Sequence, residues 1–355
     1  MKTVGIIAEY NPLHKGHLHH ISRTRQILKP DLLVVIVSSF FSQRGLPSLI
    51  SRQDKTALAL QAGADLVLEL PAVYAAQSAD YFALYAIESL KTAGVNTLCF
   101  GSELNDIELL KELEQKQLDR RFDPALSQAQ NWSGVLGNLQ ANDILGLQYV
   151  RCCRMFGIEP VCIARNPQFK SATATRADFF AGEERQYLQD YFLKEQNWNS
   201  YYPLLRNMLV MTSAARLSDY FLVEEGIENR LKKAAWACET WDDFLNQTVS
   251  KTYTRARIQR TCLFILLQLE KQEFKDHESF FELGLLGMNE KGAAWIRQLP
   301  AGTAIYSRQR DLPDFLKAME LKTRFLYSSV LDAALPEQLP VILRADDLKR
   351  KELLS

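Results

Sequence analysis

The chain has 355 residues, of which 47% are hydrophobic, and this is enough for about two domains. Its 42 Lys and Arg residues balance 42 Asp and Glu residues. This balance excludes a strongly basic nucleic-acid-coating protein, so any RNA contact must come from a local patch. The N-terminus lacks the features of a signal peptide, and no segment reaches the ~18 uncharged apolar residues that span a bilayer. We therefore expect a cytoplasmic protein without membrane contact.

The first half of the chain alternates short apolar runs with amphipathic segments. Strands are predicted at Thr3–Ala8, Asp31–Val37, Asp65–Leu70, Asn96–Phe100 and Glu159–Ala164. Helices are predicted at Gly16–Leu28, Arg52–Ala62, Ala72–Lys91 and Asn142–Phe156. Continuous apolar strands separated by helices are typical of strands buried on both faces of a parallel sheet. We therefore predict an α/β fold with a doubly wound parallel sheet over residues 1–185.

Strand-like runs become rare after about residue 185, and long amphipathic segments replace them. These segments are Gln186–Glu195, Leu204–Val210, Ser213–Glu225 and Arg255–Glu270. Their spacing is typical of helices that bury one face. We predict a second, mostly helical domain over residues 186–355.

The six cysteines show no spacing that is typical of a metal site. None belongs to a Cys-x-x-Cys pair, and the adjacent Cys152 and Cys153 form a poor chelating arrangement. Free cysteines in a reducing compartment usually behave as small buried apolar residues. We expect neither a disulfide nor a protein-bound metal.

The first predicted strand leads directly into the segment His14-Lys15-Gly16-His17. Ligands of doubly wound sheets bind where strand ends meet helix starts. Two histidines three residues apart lie on one side of the first helical turn, where free amides and the helix dipole favour an anion. Gly16 has no Cβ, so a nucleotide can approach the backbone. We interpret the segment as an ATP phosphate site.

In this interpretation His14 and His17 are catalytic residues, because their rings can stabilise the charge that builds as pyrophosphate leaves. Two alternatives stay open at this point. One is a metal site that adds His19 or His20, although no carboxylate lies at ligand spacing. The other is a purely structural histidine pair.

A second segment, Ser171 to Arg176, follows the fifth strand and opens a helix. Ser171 is suited to cap the helix, whose amides would face a phosphate, and Arg176 is a third catalytic candidate because it can clamp phosphate oxygens. The alternative is an ordinary cap followed by a solvent-facing arginine. Gly101, Asn142 and Arg165 also fall at strand ends or helix starts, so they outline the same crevice.

A basic segment precedes an apolar helix in the second half of the chain. Its cationic residues are Lys251, Arg255, Arg257 and Arg260. Such a patch suits contacts with the phosphate backbone of RNA. A solvated helix face is the alternative.

These motifs together resemble a known family. The motifs, in chain order, are GIIAEYNPLHKGHLHH, DLVLELP, FGSE, NDILGLQYV, SATATR and KTYTRARIQR, between residues 1 and about 270. They resemble the bacterial tRNA(Met) cytidine acetate ligase family, within the HxGH nucleotidyltransferase-like group. The resemblance implies an enzyme that activates acetate with ATP to acetyl-adenylate and pyrophosphate. It also implies transfer of the acetyl group to N4 of the wobble cytidine of elongator tRNA(Met).

The resemblance also implies which residues bind ATP, and Mg²⁺ is expected to accompany the nucleotide. The implied residues are Ile7, Ala8, Glu9, Tyr10, Asn11, Pro12, Leu13, His14, Lys15, Gly16, His17, Leu18, His19, His20, Gly101, Asn142 and Arg165. Ser171 joins them as a phosphate-facing cap, and Ser171 and Arg176 fit the wider group. The implied partners are ATP, acetate and elongator tRNA(Met).

The chain departs from the family pattern at a few positions. Leu13 replaces a common Phe and Lys15 a common Asn, while residues 38–45 read SSFFSQRG where relatives tend to read SGNFxQRG. Ser39 and Phe40 are therefore expected to alter a loop near the acetate pocket. Two other functions stay open: a small-molecule nucleotidyltransferase of the same group, and a nucleotide-sensing RNA-binding protein without turnover. Basic helix faces favour a tRNA substrate over the first, and the paired histidines with Arg176 favour an enzyme over the second.

Overall fold

Eight strands form one sheet in the computed structural model, which describes residues 1–118, 139–280, 282–333, 335 and 340–344. The strands are β1 Thr3–Ala8, β2 Leu32–Ser38, β3 Leu66–Leu70, β4 Thr97–Ser102, β5 Glu159–Ala164, β6 Leu283–Met288, β7 Ile305–Tyr306 and β8 Val341–Ile342. Their order is β5-β4-β1-β2-β3-β6-β7, and β8 pairs with β6. The first five strands are mutually parallel, and β6 runs antiparallel to β3.

Within the described residues, helices connect the parallel strands and continue into the second half of the chain. The first seven are α1 Lys15–Leu28, α2 Arg52–Gln61, α3 Ala72–Ala75, α4 Ala79–Thr92, α5 Ile107–Leu118, α6 Ala141–Phe156 and α7 Ala172–Ala181. The next six are α8 Trp198–Met211, α9 Ala214–Leu217, α10 Ile227–Ala237, α11 Trp241–Thr248, α12 Arg255–Leu267 and α13 Lys271–Lys275. The last two are α14 Glu290–Ile296 and α15 Asp314–Ser328. Single 3₁₀ turns occur at Gln189–Tyr191 and Gln309–Asp311.

The order of the strands creates the crevice that the sequence predicted. From β1 the chain moves outward through β2 and β3, and it then returns to the other side of β1 with β4 and β5. The direction of winding therefore reverses between β1 and β4. Carboxyl ends of parallel strands at such a switch point form the usual ligand site of a doubly wound sheet.

Strand β2 shows why the sheet is covered on both faces. Leu32, Val34 and Ile36 belong to one hydrophobic cluster, whereas the alternating residues Leu33 and Val35 belong to the other. All of these side chains are fully buried. The five predicted strands and the doubly wound α/β fold are confirmed.

Several helix predictions were wrong in detail. The predicted helix Ala72–Lys91 is divided between α3 and α4, because Ala76 leaves the helical region with a ψ of 60° and Ser78 is extended. Residues 186–195 contain only a 3₁₀ turn, which follows Leu188 at a φ of 61°. Residues 213–225 contain only α9, since Leu222 and Glu225 have left-handed backbones. Amphipathic spacing alone did not show these interruptions.

The C-terminal part of the chain extends the sheet. Strands β6, β7 and β8 come from residues that the sequence analysis assigned to a mostly helical domain, and no strand was predicted there. The larger hydrophobic cluster also includes Ile36 of the sheet together with Tyr201 of α8 and Tyr327 of α15. Residues on both sides of position 185 therefore share a core, and the division into 1–185 and 186–355 stays a prediction.

The described helices include none with the length and apolar character needed to cross a membrane. All six cysteines are free thiols, and five of them are buried, whereas Cys162 is half-buried. Their burial agrees with the expectation that they act as small apolar residues.

Candidate active site

His14 and His17 cap the first turn of α1 in a reciprocal arrangement. The Gly16 amide donates to His14 Nδ1 at 3.0 Å, and the His14 amide donates to His17 Nδ1 at 3.2 Å. The two ring centroids lie 3.8 Å apart. Each ring thus replaces a missing helical acceptor, which explains why the helix begins here. The histidine pair is both a helix cap and a candidate phosphate site.

These hydrogen bonds also fix the tautomer of both rings. A neutral imidazole that accepts at Nδ1 carries its hydrogen on Nε2. Burial and, to a smaller extent, the charge of Arg165 lower the pKa of His14 to about 4. Burial followed by the nearby charges of His14, His20, Arg165 and Lys55 holds the pKa of His17 well below its usual range. At neutral pH both residues are therefore uncharged Nε2–H donors.

Gly16 makes room for the His14 ring. A Cβ at this position would lie 2.7 Å from His14 Cε1 and 3.0 Å from His14 Nδ1. The predicted reason for Gly16 was instead the close approach of a nucleotide. The nearest obstacle is the histidine itself, so the glycine in HxGH is required by the cap geometry.

Arg176 binds the segment between β1 and α1 from the side of α7. Its Nη1 donates to Asn11 Oδ1 at 2.8 Å and to the carbonyl of Pro47 at 3.2 Å, while Nη2 donates to the carbonyl of Gln196 at 3.2 Å. Burial lowers the pKa of Arg176 to about 10. This arginine therefore lies beside the predicted crevice and is not solvent-facing. Its contacts organise the loop around Asn11.

Gly101, Asn142 and Arg165 meet at the end of β4. Arg165 Nη1 lies 2.7 Å from Glu103 Oε1, and Asn142 Nδ2 donates to the same oxygen at 2.6 Å. Arg165 also covers Gly101, where a Cβ would lie 3.2 Å from Arg165 Cγ. Glu103, which the sequence analysis quoted only within FGSE, joins the three predicted residues.

The remaining residues of the predicted ATP segment differ in their accessibility. Tyr10, Asn11, Pro12 and Leu13 are buried. Ile7, Ala8, Glu9, Gly16, Leu18, His19 and His20 are half-buried. Lys15 is exposed, with its Nζ 5.4 Å from the centre of the Tyr187 ring. The buried residues shape the turn, and the half-buried ones are the better candidates for contact with a ligand.

Ser171 caps α7 as predicted, since its side chain accepts a hydrogen bond from the Ala174 amide at 3.2 Å. The preceding segment reaches α1, because Phe169 lies 5.4 Å from His19 between ring centroids. The beginnings of α1 and α7 are thus neighbours. A phosphate role for Ser171 stays a prediction.

Lys55 is a central residue that the sequence analysis missed. It is 1% exposed, and its Nζ donates to the carbonyls of Glu9 at 2.8 Å, Ser38 at 2.9 Å and Ser39 at 3.2 Å. The sequence does contain a signal for the burial of this lysine, because Lys55 lies on the same helical stripe as Leu58 and Ala59. A lysine within an apolar stripe indicates a buried ammonium.

Ser39 and Phe40, two of the departures from the family pattern, belong to another buried network. The Ser39 hydroxyl donates to the Glu69 carboxylate, and the Arg52 guanidinium lies 4.6 Å from the centre of the Phe40 ring. Arg52 Nη1 also contacts Glu69 Oε1 at 2.9 Å and Glu320 Oε1 at 2.6 Å. Burial raises the pKa of Glu320 to about 7. Ser39 and Phe40 thus connect the loop after β2 to α15.

The predicted RNA-binding residues are not equally accessible. Lys251 and Arg255 are exposed. Arg257 lies 3.4 Å from Glu224 Oε2, and its guanidinium is 4.0 Å from the centre of the Tyr253 ring. Arg260 is only 9% exposed, because α12 packs beneath the loop that contains Gly45. Arg260 therefore belongs to the interior and not to a surface for RNA.

The metal interpretation of the histidines finds no support in the site geometry. Both Nδ1 atoms of the pair already accept backbone hydrogens. Within the described part of the chain, no group of three or more His, Cys, Asp or Glu side chains is arranged to hold a metal ion.

Comparisons of the sequence with known proteins indicate one enzyme family. The sequence model of the HIGH Nucleotidyl Transferase family matches residues 1–337. A tRNA(Met) cytidine acetate ligase of Geobacillus sp. is 32% identical, with 93% of this chain and 95% of the relative covered. One from Anoxybacillus flavithermus is also 32% identical, with 84% and 86% covered.

Solved structures show the same relationship. The apo crystal structure of Thermotoga maritima TmcAL is 25% identical and superposes with a TM-score of 0.82, covering 97% of this chain and all of that one. A second crystal structure of the same protein, bound with alpha-thio ATP, matches equally well. The similarity extends over nearly the whole chain, so the chain belongs to the tRNA(Met) cytidine acetate ligase family of HIGH nucleotidyl transferases.

Proposed function

We propose that the protein activates acetate with ATP and transfers the acetyl group to N4 of the wobble cytidine of elongator tRNA(Met), giving N4-acetylcytidine. The observation that carries this proposal is the pair of neutral Nε2–H donors at the switch point of the sheet. Such donors suit a reaction in which charge builds on phosphate oxygens. Family membership supports the choice of acetate and tRNA.

ATP is the nucleotide that the site is proposed to bind. The residues assigned to it are Ile7 to His20, Gly101, Asn142, Arg165 and Ser171. The alpha-thio ATP bound by the Thermotoga maritima relative supports ATP as the nucleotide. The helix start at His14 offers amides and a positive dipole end for the β- and γ-phosphates.

In the first step a carboxylate oxygen of acetate attacks the α-phosphorus of ATP, and the bond to the bridging oxygen of pyrophosphate breaks. His14 and His17 donate hydrogen bonds to the departing phosphates. Arg176 holds the Asn11 loop in place and adds positive charge nearby. Catalysis in this step is mainly positioning together with charge stabilisation.

In the second step the N4 amine of cytidine attacks the acetyl carbonyl, and AMP leaves with the electron pair of the anhydride bond. The amine loses one proton as the amide forms. No covalent bond to the enzyme is required. The reactive anhydride needs protection from water until the amine attacks.

Mg²⁺ is proposed to arrive with ATP. Since the described residues include no cluster of metal ligands, the ion would be held mainly by phosphate oxygens and water. It would neutralise phosphate charge during the first step.

The tRNA is proposed to contact the exposed cations of the segment before α12. Lys251 and Arg255 are the best candidates, because Arg257 is paired with Glu224 and Arg260 is buried. Contacts of this kind fix the RNA through its phosphates and carry little base specificity. The tRNA substrate also supports the expectation of a cytoplasmic location.

A pyrophosphate-release assay with ATP, acetate and bulk tRNA tests the proposal. We expect release that depends on acetate, and acetylated cytidine that appears only when tRNA is present. His17→Ala should abolish release while tRNA binding stays within about twofold, because His17 is a neutral donor of the phosphate site and the tRNA is proposed to bind through Lys251 and Arg255. Release without dependence on acetate or tRNA would favour a small-molecule nucleotidyltransferase. ATP binding without any release would favour a nucleotide sensor.

A further inference from the structure

Three charged residues lie near the carboxyl ends of β1 and β2. We call Glu9, Lys55 and Arg176 the floor cluster. Lys55 supplies the connection between the strands. Its ammonium contacts the carbonyl of Glu9, which directly follows β1, and the carbonyl of Ser38, which ends β2. One buried side chain therefore fixes the separation of the two strand ends that border the crevice.

The floor cluster has more positive than negative charge. Glu9 is its only carboxylate, and Oε1 of this group accepts the Gln43 amide at 2.6 Å. Burial raises the pKa of Glu9, while Arg44, Lys55 and Arg176 lower it. The Lys55 ammonium and the largely buried Arg176 guanidinium thus outnumber the Glu9 carboxylate, since the other nearby carboxylate, Glu69, is paired with Arg52. An excess of buried charge is unfavourable unless an opposite charge comes close.

We propose that Lys55 is a positioning residue for the anionic substrate of this crevice: its ammonium holds the ends of β1 and β2 and supplies charge that the ATP phosphates compensate. All three hydrogens of the ammonium are directed to carbonyl oxygens, so Lys55 acts without touching the substrate. The inference rests on the proposed function for the identity of that anion.

The charged groups around Lys55 come from each element that packs against it. Glu9 follows β1, Glu69 lies on β3, and Arg176 lies on α7. Burial is the main cause of the lowered pKa of His17 on α1, and the Lys55 charge adds to it. The ammonium therefore helps to keep His17 neutral, and this connects the floor cluster to the histidine pair.

The state of Lys55 is sensitive to pH. Burial lowers the pKa of Lys55, the carboxylates of Glu9 and Glu69 oppose this, the charge of Arg176 adds to it, and the resulting pKa is about 7. Bound phosphates stabilise the protonated form and so raise the pKa again. By linkage, ATP should bind more weakly as the pH rises and the free protein loses this proton.

Isothermal titration with a non-hydrolysable ATP analogue tests the proposal on the full-length protein. We expect Lys55→Met to weaken binding by about tenfold or more, and Lys55→Arg to stay within about threefold of the unaltered protein, because the arginine keeps the charge. Lys111→Met is the matched control, since Lys111 is a partly exposed lysine paired with Glu108. The affinity of Lys111→Met for the ATP analogue should equal that of the unaltered protein.

A pH series distinguishes the effect of the Lys55 charge from the effect of its packing. Between pH 7 and pH 9 the unaltered protein should lose about tenfold in affinity for the ATP analogue but not for adenosine, which has no phosphates. Lys55→Arg should show no such loss. If both variants fail to fold, the pH series on the unaltered protein still tests the proposal, because it compares the ATP analogue with adenosine.

Three results would overturn the proposal. They are unchanged ATP binding by Lys55→Met, the same pH profile for Lys55→Arg as for the unaltered protein, and equal pH profiles for the ATP analogue and adenosine. A failure of the proposed function would look different. It would appear as a lack of acetate-dependent pyrophosphate release while these binding measurements remained readable.

Discussion

Replacing Gly16 with alanine would displace His14 without removing any functional group. The new Cβ would lie 2.7 Å from His14 Cε1 and 3.5 Å from Phe169 Cβ. Real Cβ atoms do not approach a ring atom so closely, so the imidazole must rotate away. The hydrogen bond from the Gly16 amide to His14 Nδ1 is then lost.

The stability of the protein should nevertheless change little. Loss of a helix cap costs about 1 kcal/mol, and alanine in place of glycine inside a helix contributes about 1 kcal/mol in the opposite direction. The free energy of unfolding should therefore stay within about 1 kcal/mol of its original value. Catalysis should suffer far more, because a displaced charge-stabilising donor lowers kcat by about 10² to 10³.

The assay pairs urea unfolding with acetate-dependent pyrophosphate release. Ser22→Ala is the matched control, since Ser22 lies exposed on the same helix and also changes to alanine. The control should keep full activity. Normal turnover by Gly16→Ala would refute the reasoning that the His14 position depends on this glycine, and a loss of several kcal/mol would refute the stability argument.

Three further predictions concern acid stability, ATP and the helical part. Burial lowers the pKa of His14 and His20 to about 4 from the ordinary 6.5, so the unfolded chain takes up protons first as the pH falls through this range. The free energy of unfolding should then fall by up to about 1.4 kcal/mol per pH unit for each histidine. His20→Gln should make this fall shallower in urea titrations, and an unchanged slope would contradict the assignment. Arg165→Ala should weaken ATP binding about tenfold in a titration while changing stability by less than about 1 kcal/mol, because the Glu103 pair is partly exposed. Arg260→Met should change the melting temperature and not tRNA affinity in a filter-binding assay, whereas Arg255→Ala should do the reverse.

The parallel part of the fold was predictable because its signals are local. Each strand is a continuous apolar run, and each run is followed by an amphipathic segment of suitable length. The histidine site followed from the same signals, since strand context places His14 and His17 at a helix start. Local patterns cannot show a left-handed backbone at Leu188 or Leu222, and the helices predicted there were wrong for this reason.

Interactions between distant parts of the sequence were not predictable. Arg52 binds Glu320, which is 268 positions away, and no pattern near either residue indicates the other. Lys55 is an intermediate case. Its position on an apolar stripe can be seen in the sequence, but its three carbonyl partners cannot. Knowing that a charge is buried is thus a local inference, while naming its partners requires the fold.

Different residues supply the hydrogen-bond donors and the positive charge of the crevice. His14 and His17 are neutral donors, whereas the hydrogens of the charged Lys55 are already directed to carbonyl oxygens. In the proposed reaction a neutral donor gains most when charge builds on the phosphate oxygens, so the histidine pair would favour the transition state over bound ATP. A protonated pair would bind ATP tightly before the reaction and hold pyrophosphate after it. Burial of His17 and the nearby Lys55 ammonium both oppose protonation, so in the proposed reaction the two parts of the site would together favour turnover over tight binding of ATP.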